Sequence, residues 1–508
     1  MKKVLFIKNA VILTVTALIL RMIGIFFRVW LADSIGAEGM GLYQVIFSVY
    51  VLASTFATSG ISTAVTRMVT ERLSVGDKYG ARRILIISCA LSVFCAAVTS
   101  AIIISFAEPI AKYLISDIRA TQSLRILCLS LPFMGACSCI RGYFLARRSS
   151  VPPSVCQIAE QIVRMTVIVF LINKYAHLGL SATSAAVLAG DSVSEAASCL
   201  LIWLFYKFDY KKLKQKQTQG LGKRKALSEL LRISVPISAG RYLHTALRTA
   251  ENLITPLCLS KYSSSKTSAL EQFGMIKGMA LPLLLFPASL LSSVSTLLIP
   301  EITESVSNKN DNSVKKAVER VFSVTSVTSF LISGVFFALA YPLGKLVYDS
   351  TEVGYLIRAL SPLIPFMYID LIADGILKGL DKQNFLFKSN VADSLGRVIL
   401  VIILVPKFGM LGFLGIMFFS NLFTSILSVI KIVKSVKIKF DFKKYFLKPL
   451  FAVFTAAMLS NSFCKFTQNI NILYIILTLG SMTILYFVVI IFLGVIDFKS
   501  FYPKKTKK

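Results

Sequence analysis

Blocks of about twenty apolar residues recur along the whole 508-residue chain, each bounded by Gly, Pro, Asn, Lys or Arg. A helix needs a run of that length to cross the hydrocarbon of a bilayer, because each residue advances it by only ~1.5 Å. Fourteen such segments can be laid out, at 9–31, 42–64, 84–106, 121–144, 155–172, 182–206, 230–258, 271–299, 319–341, 355–377, 385–405, 409–431, 446–463 and 471–495. The composition agrees: 55% of the residues are hydrophobic and 16% charged, whereas soluble domains carry about 25% charged residues. Barrel strands alternate in short segments, and these blocks do not. The expected fold class is an all-α polytopic membrane protein with about 14 transmembrane helices.

A formal net charge of +31 raises the question of nucleic acid, but its placement answers differently. With the N-terminus inside, Arg72, Lys78, Arg82, Arg83, Arg147 and Arg148 fall on cytoplasmic connections. So do the run 207–225, Lys309, Lys315, Lys316, Lys378 and Lys382, residues 431–448 and the tail PKKTKK. The opposite connections, such as DSIGAEGM, KYAH, KYSSSK and KFG, hold few or none. This is the positive-inside bias, and an even number of helices leaves both termini of a multi-pass cell-membrane protein in the cytoplasm. The basic connections then meet anionic membrane lipids, and no nucleic-acid partner is expected. MKK precedes an apolar stretch, but Arg21 and Arg28 interrupt it and no small-residue cleavage site follows, so it reads as an uncleaved first helix. The nine cysteines are scattered without a CxxC or Cys/His cluster, so neither a metal site nor a disulfide framework is indicated.

The chain also repeats itself. RILCLSLPFMGACSCIRGYFLARR (125–148) aligns with RALSPLIPFMYIDLIADGILKGLD (358–381) at an offset of 233. At that offset Glu160 and Arg164 fall on Asp393 and Arg397, and KYAHLGL (174–180) falls on KFGMLGF (407–413). Upstream, Arg21 and Arg28 match Arg241 and Arg248 at an offset of 220, the difference being absorbed around 260–268. Two six-helix units in tandem enter the membrane with the same orientation, which makes a parallel repeat with a pseudo-two-fold axis along the membrane normal. The expected division is an N-terminal lobe at 1–225, a C-terminal lobe at 226–440, and a helix pair with a basic tail at 441–508.

An arginine at membrane depth costs at least ~2.5 kcal/mol, so such residues face a protein interior or a water-filled cavity. Arg241, His244, Arg248 and Glu251 stand at i, i+3, i+7 and i+10, one stripe of a helix. Thr14, Arg21 and Arg28 form a matching stripe on the first helix. The alternative is that Arg28 and Arg241 snorkel to the interface; the recurrence of the pair in both halves favours a cationic cavity. Guanidinium forks grip phosphate oxygens in pairs, so Arg21, Arg28, Arg241, His244 and Arg248 are the candidate substrate-binding residues for an anionic cargo, a phosphate or diphosphate. Glu160/Arg164 and Asp393/Arg397 read as buried i, i+4 ion pairs. Glu251, Asn390 and Asp393 are candidates for a coupling-ion site for Na+ or H+, with no resident cofactor or metal expected. Asp191, Glu195, Asp370 and Asp374 have no evident basic partner in the sequence, and His177 reads as a loop residue.

At IRGYFLARRSSVPPSVCQIAEQIVRM (140–165), IGAEGMGLYQ (35–44) and FGMIKGMALPLLLFP (273–287), the sequence resembles the stage V sporulation protein B group of Gram-positive bacteria. That group belongs to the superfamily of the lipid II flippases, the O-antigen flippases and the multidrug and toxin extruders. The resemblance implies a flippase that moves an undecaprenyl-diphosphate-linked sugar, lipid II or a related wall or spore-cortex precursor, to the outer leaflet, with cell-wall synthesis proteins as partners. It implies that Arg21 and Arg28 match cavity arginines of the lipid II flippases, at a spacing one residue longer. A gating glutamate of those proteins is absent, and Ser59 stands near its place. The resemblance further implies that residues 446–495 form a groove for the lipid tail and that a sodium site maps onto Glu251, Asn390 and Asp393. Two other classes stay open: a cation-coupled multidrug exporter, which favours an acidic aromatic cavity, and a membrane glycosyltransferase or polymerase, which needs a catalytic cluster in a large outer loop.

Overall fold

The computed structural model describes residues 2–58, 60–211, 222–308, 310–438, 440–464 and 472–495. Ser59, Lys309, most of the basic run 207–225 and the tail PKKTKK lie outside them. The described residues are helical, with no strand among them. Apart from shorter segments and the nine-residue helix Ala340–Tyr348, the helices are α1 Lys2–Thr58, α2 Ile61–Ser74, α3 Lys78–Ser105, α4 Ala120–Cys128, α5 Leu131–Ala146, α6 Val151–Tyr175, α7 Leu180–Lys211 and α8 Lys223–Ser263. They continue as α9 Lys266–Gly274, α10 Ala288–Ser307, α11 Asp311–Ala338, α12 Thr351–Leu360, α13 Ile364–Gly379, α14 Gln383–Val436, α15 Lys448–Cys464 and α16 Ile472–Phe492. Hydrocarbon offers no hydrogen bonds, so each crossing segment satisfies its backbone within its own helix.

Nine stretches among the described residues are long and apolar enough to cross a membrane. Thr14–Ser74, at 61 residues, and Gln383–Val436, at 54, are each far longer than the ~20 residues one crossing needs. The connections expected at DSIGAEGM and KFG are therefore not loops but breaks at one residue. Gly36 (φ 69°, ψ 177°) interrupts α1 and Gly409 (φ 55°, ψ −134°) interrupts α14. Both conformations are open chiefly to glycine, and helix resumes directly on either side, so few backbone groups are left without partners.

By contact, the chain divides into two compact units, Met1–Gly274 with Ser394–Gly409, and Met275–Asp393 with Met410–Lys508. This partition differs from the partition by sequence repeat, because α8 and α9 pack with the helices that precede them. Tyr242 stacks on Phe56 at 4.5 Å between ring centroids, and Thr249 Oγ1 donates to the Ser48 carbonyl at 3.0 Å. In the second unit, α15 and α16 lie against α11, burying Val327, Phe330, Val453, Met482, Tyr486 and Ile490 together.

The repeat is written into details that apolar pattern alone does not require. Ser62 Oγ donates to the Ser138 carbonyl at 3.1 Å, and Ser295 Oγ, 233 residues on, donates to the Leu371 carbonyl at 3.0 Å. Ser100 bonds the Cys128 carbonyl at 2.7 Å as Ser333 bonds that of Ser361 at 2.8 Å. Asp77 caps α3 through the Gly80 amide, and Asn310 caps α11 through that of Ser313. Ser116 and Asp349, and likewise Arg148 and Asp381, take left-handed φ at equivalent positions.

One contact joins equivalent residues to each other. A Cβ on Gly41 would lie 2.0 Å from the Leu270 carbonyl oxygen, and one on Gly274 would lie 2.0 Å from that of Ala37. Ala37 and Gly41 match Leu270 and Gly274 at the offset of 233. Self-complementary contact of this kind marks a two-fold axis, here a pseudo-axis passing between α1 and α9. Only glycine at both positions permits that backbone approach. We expect Gly41→Ala and Gly274→Ala each to cost about 1–3 kcal/mol by overpacking. The double variant should cost less than the sum, because a contact already forced apart cannot be lost twice. Thermal unfolding of the four detergent-solubilised proteins checks this; neutral single or fully additive double substitutions would contradict it.

A candidate site of stripe arginines and a buried charge network

α1 and α8 carry the two arginine pairs. Arg21, Arg241 and Arg248 are exposed, while Arg28 and His244 are half-buried. Among the described residues no carboxylate lies within ion-pair distance of Arg21, Arg28 or Arg241. Arg248 is close enough to His244 to act on it electrostatically. The stripe on α8 ends differently: Glu251 is 4% exposed and accepts from Arg397 Nη2 of α14 at 2.5 Å.

Behind Arg28 lies a network at membrane depth in the first unit. Arg141 of α5 donates through Nη2 to Glu160 Oε2 at 2.6 Å and to Ser198 Oγ at 3.0 Å. Arg164 of α6 donates through Nη2 to Glu160 Oε1 at 3.0 Å, and its Nε stands 2.9 Å from Asp191 Oδ1 of α7. Glu195, one turn beyond Asp191, feels the charges of Glu160, Arg141 and Arg164. Tyr43 of α1 feels Asp191, Arg28 and Arg164. Two guanidinium groups and the carboxylates of Glu160 and Asp191 thus tie α5, α6 and α7 together, with Glu195 close enough to act on them electrostatically and Arg28 close enough to act on Tyr43. A carboxylate shared between two arginines keeps all three groups hydrogen-bonded, which is what makes burial of charge tolerable.

In the second unit, Asp393 accepts from Ser420 Oγ at 2.6 Å, Asp370 accepts from Ser428 Oγ at 3.1 Å, and Lys378 Nζ stands 2.5 Å from Asp374 on the same helix. Asn390 is half-buried, and His177 is exposed in a short 3-10 turn.

The sequence spacing paired Arg164 with Glu160, and their atoms lie 3.0 Å apart. It paired Arg397 with Asp393, whereas Arg397 reaches Glu251 on another helix. Glu251, a candidate for the coupling ion, is consequently already engaged by a guanidinium. Asp191 and Asp374 do have basic partners: that of Asp191 comes from another helix and no local spacing shows it, whereas Lys378 stands four residues after Asp374 and was overlooked. Arg141 was missed altogether; its signal was a lone arginine in the apolar run LPFMGACSCIRGYFLA. Among the described residues, no three His, Cys, Asp or Glu side chains converge as metal ligands would.

Known proteins share this architecture. The family described as "Polysaccharide biosynthesis protein" matches residues 6–306 and 302–485. Stage V sporulation protein B of Bacillus subtilis (strain 168) is 25% identical over 418 residues, 81% of this chain and 80% of that protein. The solved lipid II flippase MurJ, in an inward closed conformation, superposes with a TM-score of 0.72 at 17% identity, covering 95% of this chain and 99% of that one. An inward-facing MATE multidrug resistance transporter of the MOP superfamily superposes with a TM-score of 0.64 at 13% identity, over 84% and 100% of the two chains.

Removing one partner from a buried network strands the others. Arg164→Leu leaves Asp191 and half of Glu160 without their cation, and we expect a cost of about 3–5 kcal/mol. Asp191→Asn leaves Arg164 with Glu160 and should cost less. The yield of monodisperse protein and its thermal midpoint in detergent give the ranking; equal tolerance of both substitutions would refute it.

Proposed function

We propose, from the premise that this chain belongs to the polysaccharide biosynthesis protein family, that it is a flippase for an undecaprenyl-diphosphate-linked sugar. The cargo is lipid II or a related wall or spore-cortex precursor, moved from the cytoplasmic to the outer leaflet. The observation that carries this reading is the pair of arginine stripes on the repeat-equivalent helices α1 and α8, of which Arg21, Arg28 and Arg241 have no carboxylate at ion-pair distance among the described residues. Hydrocarbon would not retain such cations without use, and a diphosphate answers them with oxygen atoms in the geometry a guanidinium fork prefers.

In this mechanism Arg21, Arg28, Arg241 and Arg248 take over the hydration of the diphosphate as the head group leaves the cytoplasmic face. The isoprenoid tail stays in hydrocarbon throughout. The contact of Ala37 and Gly41 with Leu270 and Gly274 closes the outer end and parts when the cleft turns outward, so the site is open to one side at a time. Both termini lie in the cytoplasm, as the basic connections favour. With the cell interior negative, a cargo of charge −2 moving outward releases on the order of 4–5 kcal/mol at 100 mV. The potential therefore suffices as a driving force, and an antiported Na+ or H+ is a second source of work.

A multidrug exporter for cationic compounds would present free carboxylates to its cavity. Glu160, Asp191 and Glu251 are instead held by arginines at 2.5–3.0 Å, which favours the anionic cargo.

Outward movement of fluorescent lipid II in proteoliposomes under an imposed potential tests the proposal. Wild type should move it and Arg248→Ala should reduce the rate by at least tenfold, the loss of one charge-assisted contact. A disulfide between cysteines placed at 37 and 270, in a background without the native cysteines, should stop movement reversibly. Wild-type protein that moves no diphosphate-linked sugar would overturn the reading.

A further inference from the structure

In the second unit, α11, α12, α13, α15 and α16 enclose a cavity of about 550 Å³, within the ~300–1,000 Å³ of small-molecule sites. Phe330, Phe337, Phe366, Phe446, Leu450 and Phe454 form much of its wall. Phe337, Phe454 and Met458 are 44%, 58% and 60% exposed, so the cavity opens on the surface that hydrocarbon covers. One cation, the exposed Arg358, stands among the lining residues. The Arg358 guanidinium carbon lies 4.8 Å from the Phe337 ring centroid and 5.5 Å from that of Tyr341. Two aromatic faces fix a guanidinium in place without neutralising it. Among the described residues no carboxylate lies within ion-pair distance of Arg358.

The repeat supplies an internal control. Arg125 is the equivalent of Arg358, but Ile104 and Glu108 occupy the positions of Phe337 and Tyr341. The first half thus has the arginine without the aromatic pair, and an acid where an anion would have to approach. It also lacks any counterpart of α15 and α16, which complete the cavity. A cation needed only for topology would not require either addition.

We propose that this cavity binds one anionic glycerophospholipid of the surrounding bilayer, its chain among the aromatic walls and its phosphate on Arg358. The ligand must be apolar enough to enter from hydrocarbon and anionic at one end, and a phospholipid of the bilayer meets both needs at the highest local concentration. The site stands whether or not the chain transports lipid II.

The test uses the full-length protein in detergent, titrated with phosphatidylglycerol while thermal unfolding and the mass of the intact complex are followed. Wild type should bind one phosphatidylglycerol and unfold at higher temperature as it saturates. Arg358→Gln should raise the half-saturating concentration by at least about tenfold, and Arg125→Gln should leave it unchanged. Ala457→Trp fills the cavity but keeps Arg358, and should abolish the response even if Arg358→Gln does not fold. Equal stabilisation by phosphatidylcholine, or by inorganic phosphate alone, would overturn the proposal. So would unchanged titration of Ala457→Trp, or displacement of phosphatidylglycerol by stoichiometric undecaprenyl diphosphate, which would make the occupant the cargo.

Discussion

Charge at membrane depth must be answered by another charge, by hydrogen bonds or by water, and most of the arrangement described above follows from how each charge is answered. In the first unit the answer is internal. Glu160 lies between Arg141 and Arg164, and Arg164 also stands against Asp191, so three helices are locked by groups none of which could be buried alone. On the arginine stripes Arg21, Arg28 and Arg241 meet no carboxylate among the described residues, and the proposed cargo would answer them.

The two halves share a scaffold and differ in chemistry. Serine-to-carbonyl bonds, helix caps and left-handed turns recur at one offset, so the backbone path was kept. The charge network was not. Arg141, Glu160, Asp191 and Glu195 have Asp374, Asp393, Thr424 and Ser428 as their equivalents. The one arginine kept, Arg397 for Arg164, turns to Glu251 instead of a network. A rigid, charge-stapled first unit and a second unit that carries the extra helix pair are what divergence from one ancestor six-helix unit would leave.

Fold class and repeat were legible in the sequence because both are periodic properties: apolar block length reports membrane thickness, and an offset reports duplication. The arginine stripes were legible for the same reason, since helical spacing fixes which residues share a face. Partners across helices were not. Asp191 and Glu251 each meet an arginine far away in sequence, and no local spacing encodes that. The breaks at Gly36 and Gly409 were read as loops because a single glycine with left-handed φ leaves the same mark in sequence as a short connection. The Gly41–Gly274 approach was invisible, since a glycine shows its meaning only once the opposing backbone is known.

The central claim is that the stripe arginines are kept for a diphosphate. The direct measurement is the affinity of the wild-type protein in nanodiscs for undecaprenyl diphosphate, undecaprenyl phosphate and undecaprenol. The account predicts affinity rising by at least about tenfold with each phosphate, as charge-assisted contacts accumulate, and a gradient that flattens when Arg21, Arg28, Arg241 and Arg248 are replaced by glutamine. Undecaprenol binding as tightly as the diphosphate would show that the tail alone is recognised and would contradict it.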